Sequence, residues 1–337
     1  MPSSERADGP IIMARALCKS YRVAAKEPGV AGALRHFFRR EYKDVEAVKG
    51  VSFEIERGEF VGFLGANGAG KTTTLKMLTG LLLPSSGELR VSGHFPFDRR
   101  SDFLKRITLV MGQKQQLMWD LPALDSLRVN AAVYDLPKLQ AERRIAELAE
   151  MLEIESKLTL PVRKLSLGER MKCELLAALL HEPEVLMLDE PTLGLDVNAQ
   201  DSIRRFLKDY NQTRRATVLL TSHYMADIVA LCPRVLLIHE GRLVYDGSLE
   251  ALTERVAPYR QLRLELPELV SRERLATYAE VELLEGRKVV LSVDRAQVTN
   301  VVARVLAELK PLDLGVTDPP IEQVIGRVFA GQKEALA

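Results

Sequence analysis

Gly65-Ala66-Asn67-Gly68-Ala69-Gly70-Lys71-Thr72 fits the pattern G-x-x-x-x-G-K-[ST] and stands where that pattern carries meaning. An apolar run, Phe60-Val61-Gly62-Phe63-Leu64, precedes it, and Thr73-Thr74-Leu75-Lys76-Met77-Leu78-Thr79 continues it as a helix. Gly65, Gly68 and Gly70 let the backbone turn tightly, and with Asn67, Ala69 and Thr73 they line a loop whose N–H groups can cradle phosphate oxygens at a helix N-terminus. Lys71 reaches toward the β- and γ-phosphates of a nucleotide, and the Thr72 hydroxyl is a ligand for Mg²⁺. The spacing therefore predicts a nucleotide-binding site with Mg²⁺ held by Thr72.

Working outward, the 337 residues allow a domain of roughly 200–250 residues and a smaller one. A hydrophobic fraction of 47% beside 28% charged residues is ordinary for a globular protein. The net charge of +1 gives no basic field to attract nucleic acid. Cys18, Cys173 and Cys232 are far apart, so neither a zinc cluster nor a disulfide framework is expected, and a reducing compartment suits them. Residues 1–10 are polar, are expected to be disordered and lack the apolar core of a signal peptide. No run approaches the ~18 apolar residues that a membrane span needs.

Residues 11–23 read as strand, turn and strand, with Tyr21 either stacking on an adenine or simply half-exposed on its strand. Between Ala24 and Glu46 no strand pattern is clear. Ala33 to Arg40 forms either a short basic amphipathic helix or a solvated loop. Val48–Ile55 alternates as a strand leading into the glycine loop, Glu88–Val91 is a short strand, and Ile107–Met111 is an apolar strand ending at Gly112-Gln113. The periodicity then turns helical, giving a helical lobe over about 114–182. Val185–Leu188 resumes the strand-helix alternation, followed by Asp189-Glu190, a helix over Asp201–Asn211, a strand Ala216–Leu220 leading to His223, a helix Met225–Leu231 and a hairpin around Glu240-Gly241. Such alternation predicts a mainly parallel, covered sheet. A boundary is placed at Ala257-Pro258. Residues 258–337 read in the split βαβ order of a small ferredoxin-like α+β domain.

The order of these elements resembles the ATP-binding subunits of ABC transporters over roughly residues 11–250. The resemblance implies an α/β P-loop NTPase core with an antiparallel β subdomain and a helical subdomain. Asp189-Glu190 matches the family's paired carboxylates, Asp189 for Mg²⁺ and Glu190 as the base toward the attacking water. Gln113 matches the glutamine that contacts Mg²⁺ and water, and His223 the histidine that senses the γ-phosphate. Leu165-Ser166-Leu167-Gly168-Glu169 is similar to the signature usually written L-S-G-G-Q, keeping Ser166 and Gly168 while Leu167 replaces a glycine and Glu169 a glutamine. Ser166 and Gly168 would face nucleotide held by a second subunit, and Asp196 of Leu193-Gly194-Leu195-Asp196 would order the loop crossing that interface. His36, His94, His181 and His239 receive structural roles.

Within the family, Gly112-Gln113-Lys114, Leu117 to Pro122, the insert after Tyr21 and Pro319-Pro320-Ile321-Glu322 resemble exporter ATPases of the drug-resistance branch. These work at the cytoplasmic face of the membrane with separate transmembrane permeases. The resemblance implies an ATPase paired as a homodimer or heterodimer, with no nucleic-acid partner. Trp119 either meets such a permease or packs in the core of the helical lobe. A soluble ABC-type ATPase acting on ribosomes or DNA, or a regulatory subunit, is the alternative. A dimer-stabilising or regulatory task is expected of the C-terminal domain.

Overall fold

A computed structural model describes residues 9–24, 42–112 and 115–330. Gln113, the segment 25–41 with its expected basic helix, and most of the N-terminal stretch lie outside the described residues. The chain divides into a unit running through Asp246 and one from Gly247 onward.

The first unit is built on a six-stranded sheet in the order β5-β6-β7-β3-β8-β9, from β3 (Phe60–Leu64), β5 (Ile107–Met111), β6 (Val185–Asp189), β7 (Thr217–Thr221), β8 (Arg234–His239) and β9 (Arg242–Ser248). The pairings β5·β6, β6·β7, β3·β7 and β3·β8 are parallel. β3 and β7 are buried at every position, which explains why both read as unbroken apolar runs. The edge strand β9 follows a two-residue turn, Glu240-Gly241, with both residues at positive φ (46° and 82°), the geometry a tight hairpin prefers.

A second sheet orders β2-β1-β4 from β1 (Ile12–Ala24), β2 (Tyr42–Ile55) and β4 (Ser86–Val91), with β1 antiparallel to both neighbours. Here the sequence expectation is corrected. Residues 12–24 form one continuous strand, and the irregularity that read as a turn is a run of three register shifts between Ala14 and Ser20. Ala16 takes φ 47°, and its N–H donates to Ser52 Oγ at 2.8 Å instead of to the ladder. β2 also begins earlier than its hydrophobic alternation suggests, because Tyr42–Glu46 are exposed and carry no burial pattern. One core joins the two sheets through Ile12, Val51, Ile55, Phe63 and Leu75.

Helix α1 (Lys71–Leu78) follows the glycine loop, and the short α2 (Ser101–Leu104) precedes β5. Between β5 and β6 lie α3 (Ala123–Val133), α4 (Lys138–Leu152) and α5 (Leu167–Leu179), amphipathic elements whose apolar faces pack together. α6 (Val197–Arg214) and α7 (Met225–Leu231) flank β7 in sequence.

The second unit contains α8 (Leu249–Val256), β10 (Tyr259–Glu265), α9 (Arg272–Ala276), β11 (Glu280–Glu285), β12 (Lys288–Asp294), α10 (Val298–Glu308), β13 (Asp313–Thr317) and α11 (Ile321–Ala330). From β10 the order is βαββαβ, and the fully antiparallel sheet β11-β12-β10-β13 is the ferredoxin-like arrangement. Its core is Leu262, Leu264, Leu275, Leu291, Val301 and Val305 with their neighbours. No helix among the described residues is long and apolar enough to cross a membrane.

Candidate functional site

The carboxyl ends of four parallel strands converge, the usual location of a ligand site in an open α/β sheet. β3 delivers Gly65, β5 Gly112, β6 Asp189-Glu190, and β7 Ser222-His223. A cavity of about 670 Å³ opens there, lined among others by Asn67, Thr72, Gly112, Asp189, Glu190 and His223.

The glycine loop has no room for side chains at its ends. A Cβ on Gly65 would lie 2.3 Å from the Ile238 carbonyl oxygen, and one on Gly70 (φ 109°) 2.6 Å from that of Ala47. Lys71 caps the cradle from within, only 7% exposed, its ammonium donating to the Gly65 and Ala66 carbonyls at 2.7 and 3.2 Å. Burial lowers its pKa, while the Glu190 and Asp189 charges pull the other way. A buried ammonium inside a glycine-rich loop that opens a helix N-terminus suits a polyanionic ligand.

Thr72 Oγ1 donates to Asp189 Oδ2 at 3.0 Å, and Thr221 Oγ1 to Asp189 Oδ1 at 2.7 Å. Hydroxyl and carboxylate oxygens are the hard donors Mg²⁺ prefers, and a cation there would complete its shell with phosphate and water. Glu190 sits in the left-handed region at φ 56°. Its N–H is held by the carbonyl and Oγ1 of Thr221, both at 3.1 Å. A strained, over-determined backbone of this kind aims a side chain that would otherwise relax. Gly112 makes the turn possible, since a Cβ there would come 2.2 Å from the Glu190 carbonyl oxygen. His223 Nε2 lies 2.9 Å from Glu190 Oε1. Behind it, Asp227, 1% exposed, accepts from Ser222 Oγ at 2.7 Å, Thr192 Oγ1 at 2.5 Å and Arg204 Nη1 at 2.6 Å. That buried hub ties the loop after Glu190 to the one carrying His223.

Other expected site residues lie elsewhere on the first unit. Ser166 is the N-cap of α5, accepting from the Glu169 N–H at 3.2 Å while Glu169 Oε2 accepts from the Ser166 N–H at 2.8 Å. Gly168 lies against α6, where a Cβ would meet that of Ala199 at 2.8 Å. Asp196 caps α6 by accepting from the Ala199 N–H at 2.9 Å. Thr73 follows Thr72 in the first turn of α1, and Gly68 at φ 79° sits in open space. Tyr21, 37% exposed, stands opposite Val45. Trp119 is 45% exposed and so not part of the lobe's core. Sequence reasoning missed Thr221, Gly112 and Asp227. A threonine closing the strand beside Asp189-Glu190 was a weak available signal, but the roles of Gly112 and Asp227 arise only from tertiary contacts.

Residues 48–193 match the family described as ABC transporter, and residues 258–317 match the EvrA-like ABC transporter C-terminal domain. The chain is 36% identical over 217 residues to the ABC transporter ATP-binding protein NatA of Bacillus subtilis, covering 64% of this chain and 88% of that one. It is 35% identical over 259 residues to the Nod factor export ATP-binding protein I of Burkholderia pseudomallei (77% and 84% covered). It is 31% identical over 296 residues to the linearmycin resistance ATP-binding protein LnrL of B. subtilis (85% and 94%). Among solved structures, a subunit of the ABC transporter complex cbiONQ of Clostridium perfringens superposes with a TM-score of 0.60 at 24% identity, covering 74% of this chain and 92% of that one. A dimeric ATP-binding cassette bound to ADP and phosphate after hydrolysis superposes with a TM-score of 0.58 at 23% identity (70% and 98%).

Proposed function

The chain belongs to the ABC transporter family as an ATP-binding, ATP-hydrolysing subunit, and from that membership we propose that it powers export of a substrate through a separate transmembrane permease. The observation that carries the catalytic reading is the pairing of Asp189, bound by Thr72 and Thr221, with Glu190, bound by Thr221 and His223, at the mouth of one cavity. The loop N–H groups and Lys71 hold the phosphates and stabilise charge that develops on the γ-phosphoryl group. Mg²⁺ held by Thr72 and Asp189, and contacted by Gln113, which follows the cavity-lining Gly112 in the chain, would neutralise phosphate charge when bound. Glu190 accepts the proton of the attacking water, and His223 donates to the γ-phosphate, leaving its carboxylate partner for that purpose. Tyr21 stacks on the adenine.

Ser166, Gly168 and Asp196 complete the nucleotide site of an opposing ATP-binding subunit, in the simplest assembly a second copy of this chain. ATP closes the pair and hydrolysis opens it. The work is delivered at the cytoplasmic face of a membrane. Export is supported by relatives named for Nod factor export and linearmycin resistance. The unit from Gly247 onward stabilises the pair or regulates it.

Glu190→Gln tests the catalytic assignment. The variant is expected to bind ATP like the wild type and to hydrolyse it at least about 10²-fold more slowly; turnover at the wild-type rate contradicts the assignment. Affinity purification from detergent-solubilised membranes tests the partner. A stoichiometric membrane permease supports export, and ribosomes or DNA in its place contradict it.

A further inference from the structure

Glu174 is a titratable group in the first unit that the mechanism above does not use, and it is almost completely buried, at 3% exposure. It lies midway along α5, the helix that begins at Ser166. Its carboxylate has no lysine or arginine salt-bridge partner among the described residues and instead accepts backbone N–H groups. Oε2 takes the Gln116 N–H at 2.9 Å, and Oε1 takes the same N–H at 3.1 Å and the Leu117 N–H at 3.3 Å. The next N–H in the chain, that of Met118, donates to Ser126 Oγ at 3.1 Å. One turn earlier on α5, the Arg170 guanidinium lies 5.3 Å from the centre of the Trp119 ring. A helix side chain at i and another at i+4 therefore grip one non-helical stretch. In the chain that stretch follows Met111 at the end of β5 and Gly112, both of which line the catalytic cavity, and it ends in the exposed side chains of Met118, Trp119 and Leu121.

An ionised carboxylate is a costly group to bury for packing alone. Burial raises the Glu174 pKa, opposed by the two backbone N–H groups and by the charge of Arg170. A carboxylate is acceptor-only, and so it can take adjacent backbone donors where an amide would turn its own N–H₂ against them. We propose that Glu174 is a positioning residue that, with Arg170, clasps residues 116–119 to α5, so that this stretch and the helix headed by Ser166 move as one body during the ATPase cycle. Displacement of Ser166 by nucleotide then carries Trp119 with it. The inference rests on the ATPase reading above and adds to it the residues that transmit motion from the signature helix to an exposed apolar segment.

Trp119 is the only tryptophan of the chain, so its fluorescence reports the clasp directly. The test uses the full chain as wild type, Glu174→Gln and Arg170→Gln, with steady-state ATPase rates and Trp119 emission recorded with and without a non-hydrolysable ATP analogue. The wild type is expected to change its emission on binding nucleotide. Glu174→Gln is expected to keep its ATP KM within about 2-fold, to lose about 10-fold in kcat, and to show emission that no longer responds to nucleotide. Arg170→Gln, which leaves the buried carboxylate in place, is expected to lose the emission response as well, and it carries the test if Glu174→Gln does not fold. Either folded variant retaining wild-type kcat and the wild-type emission response overturns the proposal. A wild type that hydrolyses ATP while Trp119 stays silent overturns the clasp alone. A wild type that does not hydrolyse ATP overturns the ATPase reading instead.

Discussion

His223 Nε2 and Glu190 Oε1 lie 2.9 Å apart, so the residue assigned to sense the γ-phosphate and the residue assigned to activate water are direct partners. They come from the ends of different strands, β7 and β6, and Thr221 fixes both ends of the arrangement through Asp189 and the Glu190 N–H. Replacing His223 by alanine should leave ATP affinity within a few-fold of wild type and lower kcat by about 10²-fold, because the loss falls on the reacting state. Equilibrium binding of a fluorescent ATP analogue alongside a phosphate-release assay measures the two separately. Equal losses in both would contradict the assignment.

Asp189→Asn keeps the shape of the Thr72 and Thr221 contacts and removes the charge that a divalent cation needs. Hydrolysis should fall by about 10²–10³-fold, and the Mg²⁺ concentration required for half-maximal activity should rise. A Mg²⁺ titration of the residual rate checks this.

Glu169 stands where the related signature has glutamine, and its geometry explains why the exchange is tolerated. At the third position of α5 either residue can close a capping box on the Ser166 N–H. Glu169 additionally pairs with Lys157 at 2.9 Å. Glu169→Gln should therefore change unfolding free energy by less than about 0.5 kcal/mol, and Glu169→Ala should cost about 1 kcal/mol, read by urea denaturation.

His181 stacks on Tyr134 with ring centres 3.8 Å apart, and burial pushes its pKa down to about 4, with Arg144 adding to the effect against a contact to the Ile107 carbonyl. The unfolded imidazole titrates near 6.5, so between about 6.5 and 4 the unfolded chain binds more protons and folding stability falls as pH drops. Between pH 7 and 5 the wild type should lose about 1–2 kcal/mol more than His181→Phe, measured by urea unfolding at both pH values. Glu174, whose raised pKa acts in the opposite sense, is common to both proteins and cancels in the difference.

Much of this was legible in the chain because local signals and chemistry coincide. Gly65 to Thr72 could be read as a phosphate loop, Val185–Leu188 as a buried strand followed by the two carboxylates Asp189 and Glu190, and the tail as split βαβ, since each pattern is contiguous. Where tertiary contacts decide, the sequence is silent. The bulges near Ala16 look like a turn because a positive φ and a lost ladder bond leave the same polar, irregular trace in sequence. Tyr42–Glu46 pair with β1 without burying a face, so no alternation marks them. Glu174 reads as a polar break in an apolar helix face until Gln116 and Leu117 are brought to it. Leu167 and Gly194 are far apart in sequence, yet a Cβ on Gly194 would touch the Leu167 side chain at 3.4 Å, which joins the starts of two helices assigned to one interface.

The central claim is that ATP joins two subunits, each completing the other's site. The direct measurement is the mass of Glu190→Gln in solution by light scattering after gel filtration, in MgATP and in MgADP. The account predicts twice the 37.7 kDa chain mass in MgATP and the single-chain mass in MgADP. A single-chain mass in saturating MgATP, together with a wild-type monomer that hydrolyses ATP at full rate, would contradict it.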